Sequence, residues 1–114
     1  MEITETFFAT TRQEFRSWLE RHHQSKSEIW LAQYKKATGK ATVDYDEAVM
    51  EALCFGWIDG IRKRIDEGSF ATRFTPRKPG SSAWSERNLE RVRRLIAEGQ
   101  MTAAGYASLP PDFE

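Results

Sequence analysis

The feature that most limits the fold is a β-hairpin pattern in the second half of the chain. Residues 61–74 read IRKRIDEGSFATRF, two runs rich in β-forming residues that are joined by Glu67 and Gly68. A two-residue loop with glycine at its second position is typical of a tight hairpin turn, and Asp66 and Ser69 stand at its rims. We therefore predict two antiparallel strands in this segment.

The simplest register of this hairpin brings two arginines together. Pairing of the two rim residues places Arg62 directly opposite Arg73 on one side of the ribbon, while Ile61, Ile65 and Phe74 form the other side, which is the predicted core side. Like charges opposite each other destabilise a sheet unless an acid, an aromatic ring or a bound anion lies between them. Cation–π contacts and an anion-binding site both remain open as explanations.

Residues 28–36, EIWLAQYKK, predict a third strand. The run is apolar on both parities, which is typical of an inner strand that is covered on both faces. If the hairpin flanks this strand, Trp30 and Tyr34 are the rings that could lie beneath the two guanidinium groups.

Helical periodicity accounts for most of the remaining chain. The segment 46–57 is apolar nearly all round, with Glu47 and Glu51 marking its one wet side, so we expect it to be the buried centre of the domain. Gly56 near its end would let another backbone come close. The predicted elements are a capped helix over 11–23, the strand over 28–36, the helix over 46–57, the hairpin, a helix capped by Ser85 and stopped by Gly99, and a short helical turn within 101–108.

These elements predict one α+β domain over residues 1–114. It should hold a small antiparallel sheet of about three strands, including the hairpin near 58–75, packed with three to four helices. The exposed edges of so small a sheet make a homodimer possible, although no residue specifies one.

The ends and apolar stretches of the sequence bear on location. Residues 1–12, MEITETFFATTR, carry two acids and lack the basic and apolar regions of a secretory signal. No apolar stretch is long enough to span a bilayer. We therefore expect a cytoplasmic protein with no membrane partner.

Cysteine and histidine are too few for a zinc site, because Cys54 has only His22 and His23 as further ligands. The carboxylates of Glu47 and Glu51 on the same helix side should raise the pKa of the Cys54 thiol, which makes it a poor nucleophile. The sequence therefore predicts no cofactor, no metal and no catalytic residue of this kind.

Charge is unevenly distributed along a chain whose net charge is zero. Residues 59–94 hold five acidic residues against ten Lys and Arg, so this block is strongly basic. The overall balance argues against bulk attraction to nucleic acid, whereas the local block is suited to an anionic partner.

Four residues around the hairpin and the following loop are candidates for a ligand site. Asp59 shares strand parity with Ile61, so we expect it to point toward the core, where a carboxylate needs a partner. Arg77, Ser82 and Ser85 gather at a helix N-terminus, which favours a phosphate or carboxylate. Two of the four also have a structural explanation: Asp59 as a clamp between the loop and the hairpin, with Arg77 or the donors near Ser82 and Ser85 as its partner, and Ser85 as a helix cap.

Four motifs in combination resemble one known family. They are CFGWIDG, RFTPR, SxWSxxN at residues 82–88, and EGQMTAAG, and the likeness runs from about Phe7 to Leu109. The chain in this range resembles the YdeI/OmpD-associated family, also described as bacteriocin-protection proteins. The resemblance implies a small cytosolic bacterial protein linked to tolerance of bacteriocins and antimicrobial peptides, with no agreed enzymatic activity and no catalytic residues to carry across. The resemblance also implies that many relatives continue beyond the position matching the last residue here.

Three classes of function follow from these observations. The favoured hypothesis is a non-catalytic binding or interaction domain in which Arg62, Arg73 and the loop 75–85 hold an anionic small molecule or an acidic protein surface. The second is a small enzyme with Asp59 as its acid or base. The third, less expected, is a nucleic-acid-binding module.

Overall fold

The chain folds into a four-stranded mixed sheet and four α-helices, seen in a computed structural model that describes residues 1–78 and 84–113. This confirms the predicted α+β class. The elements are β1 (Thr6–Phe8), α1 (Arg12–His22), β2 (Ile29–Tyr34), α2 (Tyr45–Cys54), β3 (Trp57–Asp66), β4 (Ser69–Pro76), α3 (Glu86–Ala97) and α4 (Ala103–Ala107), with a short 3-10 turn at Lys36–Thr38.

The sheet has the strand order β1-β2-β4-β3, and it differs from the prediction by one strand. β1 pairs in parallel with β2, so the sheet is mixed rather than purely antiparallel. A three-residue strand is too short to show an alternating pattern, which is why the sequence did not reveal it. The prediction that residues 28–36 contain an inner strand is confirmed, because β2 lies between β1 and β4 and five of its six residues are buried.

Helix ends follow the capping signals. The Thr11 hydroxyl accepts a hydrogen bond of 3.2 Å from the Glu14 amide at the start of α1, and the Ser85 hydroxyl accepts one of 3.1 Å from the Asn88 amide at the start of α3. Gly99, with φ of 71°, follows the end of α3 in the left-handed region.

One layer of helices packs on one face of the sheet. Rings from α1 meet rings from the strands, with Phe15 edge-on to Phe74 and Trp18 edge-on to Trp57. α2 is the most buried helix, as predicted, but Glu51 is not on a wet side. Its carboxylate is buried between α1 and α2 because Arg12 and Arg16 pair with it at 2.7 and 3.0 Å.

The predicted turn of the hairpin is confirmed, but its predicted register is wrong. Asp66 pairs with Ser69, but Arg62 pairs with Thr72 instead of Arg73. The ladder is irregular between Arg64 and Asp66 and again between Asp59 and Arg62, and β3 has one extra residue at each place. Each β-bulge shifts the pairing by one residue, which exchanges the faces of the side chains beyond it.

The bulges also overturn the predicted core side of the hairpin. Ile61 and Ile65 lie in the two irregular stretches and are 50% and 40% exposed, whereas Phe74 is fully buried. The face that packs on the helices instead carries Asp59, Arg62 and Arg64 from β3, because these residues pair with Phe74, Thr72 and Phe70.

None of the helices in residues 1–78 and 84–113 is long and apolar enough to cross a membrane.

Candidate functional site

Arg62 lies on the helix-facing side of the sheet. Its cross-strand partner is Thr72, and its guanidinium carbon stands 4.3 Å from the ring centre of Phe70 and 5.3 Å from that of Tyr45. The charge is therefore compensated by aromatic faces, although by other rings than the predicted Trp30 and Tyr34.

Arg73 lies on the opposite face of the sheet, because it follows Thr72 directly in β4. It is opposite Trp30, and its Nε donates a 2.6 Å hydrogen bond to Glu28. The Arg73 hydrogen bond is the main reason that the pKa of Glu28 is lowered. The predicted pocket between Arg62 and Arg73 is therefore wrong, since the two side chains are separated by the sheet.

A different cavity brings two of the predicted site residues together. It has a volume of about 490 Å³ and lies where the N-terminal turns of α2 and α3 meet β3. We call it the α3 cavity, and its lining residues are Tyr45, Asp46, Asp59, Ser85, Arg87, Asn88 and Arg91.

Asp59 is held in the α3 cavity by Tyr45, whose hydroxyl donates to the Asp59 Oδ2 atom. Within residues 1–78 and 84–113, neither Arg77 nor Ser85 is its hydrogen-bond partner, and no arginine forms an ion pair with it. Burial is the largest cause that raises the pKa of Tyr45 to about 12, and the Asp59 carboxylate adds to it, while the charges of Arg62 and Arg91 oppose the shift. Tyr45 is a functional candidate that the sequence did not reveal, because only the fold brings α2 to β3.

Arg91 and Arg87 supply the positive charge of the cavity. Arg91 donates to Asp46 at 2.7 Å and to Asn88 at 2.8 Å, so its charge is largely used within the protein. Arg87 is exposed and has no ion-pair partner in residues 1–78 and 84–113. Arg87 is therefore the cation of this cavity that can meet a ligand.

Ser85 and Arg77 both support the start of α3. Ser85 is the helix cap, as its structural explanation predicted, and its hydroxyl is occupied by the Asn88 amide. Arg77 does not line the cavity; its guanidinium stacks at 3.9 Å on Trp84, the residue before the cap, and burial lowers its pKa. Ser82, the remaining predicted site residue, lies outside the described residues.

A second cavity, which Tyr45 also lines, has a volume of about 380 Å³. Gln33 is buried beside this cavity: its Nε2 atom donates to the Val43 carbonyl at 2.6 Å, and its Oε1 atom, which is sealed from solvent, has no hydrogen bond with the described chain. We call it the Gln33 cavity, and its lining residues are Gln33, Tyr34, Lys35, Lys36, Thr42, Val43, Asp44, Tyr45, Arg62 and Phe70.

The thiol and the histidines occupy structural positions. Cys54 is buried, and burial followed by the charge of Glu51 raises its pKa, as the sequence indicated. His22 packs on Trp18 with ring centres 5.0 Å apart. Within residues 1–78 and 84–113, no group of three or more His, Cys, Asp or Glu side chains is arranged to hold a metal ion.

Comparison with known proteins gives one match. A family model described as Domain of unknown function (DUF8412) matches residues 7–108. No curated protein and no solved structure matches the chain. The match covers both cavities, and its description names no activity, so the functional argument depends on the geometry.

Proposed function

Since the chain belongs to the DUF8412 family, whose description names no activity, we propose from the α3 cavity that it is a non-catalytic domain that binds a small anionic molecule. The ligand carries one acidic group together with a hydroxyl or amino group. The observation that carries this proposal is the pairing, in one cavity, of an exposed arginine without an ion-pair partner in the described chain and an aspartate that accepts from Tyr45.

The acidic group of the ligand binds at Arg87. This side chain lies in the first turn of α3, where the helix dipole also favours negative charge. Arg91 adds positive charge near the N-terminus of α3, although Asp46 already neutralises much of that charge. A carboxylate or phosphate is therefore the class of group that this part of the cavity attracts.

The hydroxyl or amino group of the ligand binds at Asp59. A carboxylate has several acceptor positions, and Tyr45 occupies one of them. A donor on the ligand could use another. The cavity of about 490 Å³ thus holds Arg87, which attracts an acidic group, and Asp59, which accepts from a donor. This combination suits a small polar ligand better than the backbone of a nucleic acid, which would need basic groups alone.

Isothermal titration with pools of phosphates, nucleotides and carboxylates tests the proposal. We expect at least one pool to bind, and we expect Arg87→Ala to weaken that binding at least about fivefold, the effect of losing one exposed charged hydrogen bond. Arg94→Ala is the matched control, because Arg94 lies on the same helix, pairs with Glu98 at 3.2 Å and does not line the cavity. Absence of binding by every pool, or equal losses in both variants, would overturn the proposal.

The alternative of a small enzyme keeps one specific observation in its favour. Asp59 lines an open cavity and has a tyrosine rather than an arginine as its partner, an arrangement open to acid–base chemistry. The same ligand pools, incubated with the protein and followed by mass spectrometry, separate the two functions. A product formed by the native protein and not by Asp59→Asn would establish catalysis and replace the non-catalytic proposal.

The remaining expectations stand as proposals beside this one. They are the resemblance to the YdeI/OmpD-associated family with its link to bacteriocin tolerance, a cytoplasmic location, an acidic protein surface as an alternative ligand, and a homodimer. A nucleic-acid role is less favoured, because Arg62 and Arg77 are stacked on the protein's own aromatic rings. A gel shift that weakens steeply with added salt would revive it.

A further inference from the structure

The α3 cavity holds one negative and one positive charge that the described residues do not pair. Asp59 is half-buried, and its one hydrogen-bond donor within residues 1–78 and 84–113 is the neutral Tyr45 hydroxyl. Arg87 is exposed and forms no ion pair in the same part of the chain. Both side chains line the cavity, so it offers one acidic and one basic group to a ligand.

The other two charges of the lining neutralise each other. Arg91 donates to Asp46 at 2.7 Å, and this pair adds no net charge. The lining then carries two carboxylates and two guanidinium groups, so its net charge is zero. A purely anionic ligand is attracted at Arg87 and repelled at Asp59, whereas a ligand with one charge of each sign is attracted at both.

No cation of the protein serves as the ion-pair partner of Asp59 in the described chain. Arg62, whose guanidinium carbon lies 5.3 Å from the ring centre of Tyr45, does not line the α3 cavity and forms no ion pair with this carboxylate. Tyr45 has a single hydrogen to donate, so the carboxylate keeps further acceptor positions. An ammonium group is a donor that also neutralises the carboxylate, and a charge-assisted hydrogen bond is about twice as strong as a neutral one.

We propose that the α3 cavity binds an amino acid in its zwitterionic form, with the ammonium group on Asp59 and the carboxylate on Arg87. This inference rests on the proposed function and narrows its ligand: the acidic group stays at Arg87, and the second group is a charged amine rather than a hydroxyl. A volume of about 490 Å³ is within the range of small-molecule sites.

Matched pairs of probes test the proposal on the native protein. Each pair is an amino acid and the acid that has a hydroxyl in place of its amino group: alanine and lactate, phenylalanine and phenyllactate, and δ-aminovalerate and δ-hydroxyvalerate, in which the two groups lie farther apart. Amide NMR titration measures the affinities, and binding should shift the signals of residues 87–91 in α3. We expect at least one amino acid to bind at least about fivefold more tightly than its hydroxy partner, because a charged donor replaces a neutral one at Asp59.

Two variants assign the two charges of the ligand. Asp59→Asn should remove the preference for the amino acid over its hydroxy partner, because the side-chain amide is uncharged. Arg87→Ala should weaken both members of a pair at least about fivefold and keep their ratio, because both contain the carboxylate. Glu90→Gln and Arg94→Ala are the controls and should change neither the affinities nor the ratio, because both residues are exposed on α3 and neither lines the cavity.

The outcomes separate this inference from the proposed function. Equal affinity within every pair, with binding still weakened in Arg87→Ala, would overturn the zwitterion and leave a site for acids with a neutral donor. A preference for the amino acid that persists in Asp59→Asn would overturn the position of the ammonium group, and the pairs on the native protein decide alone if that variant does not fold. Failure of all six probes would also overturn the inference, while the phosphate, nucleotide and carboxylate pools still decide the proposed function.

Discussion

At the scale of single residues, the environment of Asp59 is decided by Tyr45. The tyrosine follows the cap of α2, and its hydroxyl reaches across to a carboxylate on β3. The pair joins the helix layer to the sheet at the wall of the α3 cavity. Removal of the hydroxyl should therefore affect both stability and its dependence on pH.

Tyr45→Phe should lower the free energy of unfolding by about 1 kcal/mol near neutral pH, the effect of one lost hydrogen bond. The folded-state pKa of about 12 lies above the value of about 10 for an unfolded tyrosine, so the folded protein keeps a proton that the unfolded chain loses. The stabilisation from this hydroxyl is complete below pH about 10 and is lost as the pH rises through about 12.

Urea denaturation of both proteins across this pH range is the measurement. The native protein should lose more stability than Tyr45→Phe as the solution becomes alkaline, so that the two curves converge. A constant difference between them would show that the Tyr45 hydroxyl is not linked to folding.

At the scale of elements, α1 and α2 are joined by a carboxylate rather than by apolar contact alone. The Glu51 side chain is 5% exposed and pairs with Arg12 and Arg16, whereas the Glu47 side chain, one turn earlier, is 44% exposed and 3.9 Å from Arg12. Removal of a buried partner leaves charges uncompensated, and removal of an exposed one does not.

Glu51→Ala should therefore destabilise the protein by about 2 kcal/mol, less than for a fully buried pair because Arg12 is partly solvated. Glu47→Ala, its control on the same helix, should change stability by no more than about 0.5 kcal/mol. Chemical denaturation measures both. Comparable losses in the two variants would mean that the α1–α2 pair contributes no more than a surface ion pair.

At the scale of the whole molecule, α4 packs closely against the residues that follow α2, and a glycine without a side chain allows this approach. Gly56 has φ of 75°, and a Cβ atom there would stand 2.8 Å from the Ala104 carbonyl oxygen. Gly99 has a similar φ of 71°, but a Cβ atom there would meet nothing within 4 Å. Both positions therefore test the strain of a positive φ, but only Gly56 also tests close packing, as the sequence predicted for this glycine.

Gly99→Ala should cost about 1 kcal/mol, the strain of a left-handed alanine. Gly56→Ala should cost at least about 1 kcal/mol more, because α4 must also move away from α2. Thermal or urea unfolding measures the difference. Equal losses at the two positions would show that α4 is not packed tightly against the end of α2.

Much of the fold could be predicted because its signals are local. Caps such as Thr11 and Ser85 depend on residues three positions away, and the turn after Asp66 depends on its immediate neighbours. The inner position of residues 28–36 follows from apolar side chains on both parities. The candidate site was predicted less well: Asp59 and Ser85 line one cavity, Arg62 lines another, and Arg73 lies on the far face.

The sequence by itself determined where α1 and α3 begin, where the hairpin turns, and which strand is enclosed, because each depends on interactions between near neighbours; the helix predicted over 46–57 instead ends at Cys54, and Trp57 begins β3. Only the tertiary structure decided the register of β3, the burial of Glu51 and the contact between Tyr45 and Asp59. A bulge adds one residue and exchanges the faces of a strand, and which face meets the helices depends on how distant elements pack. Those long-range contacts formed the cavities and separated Arg62 from Arg73.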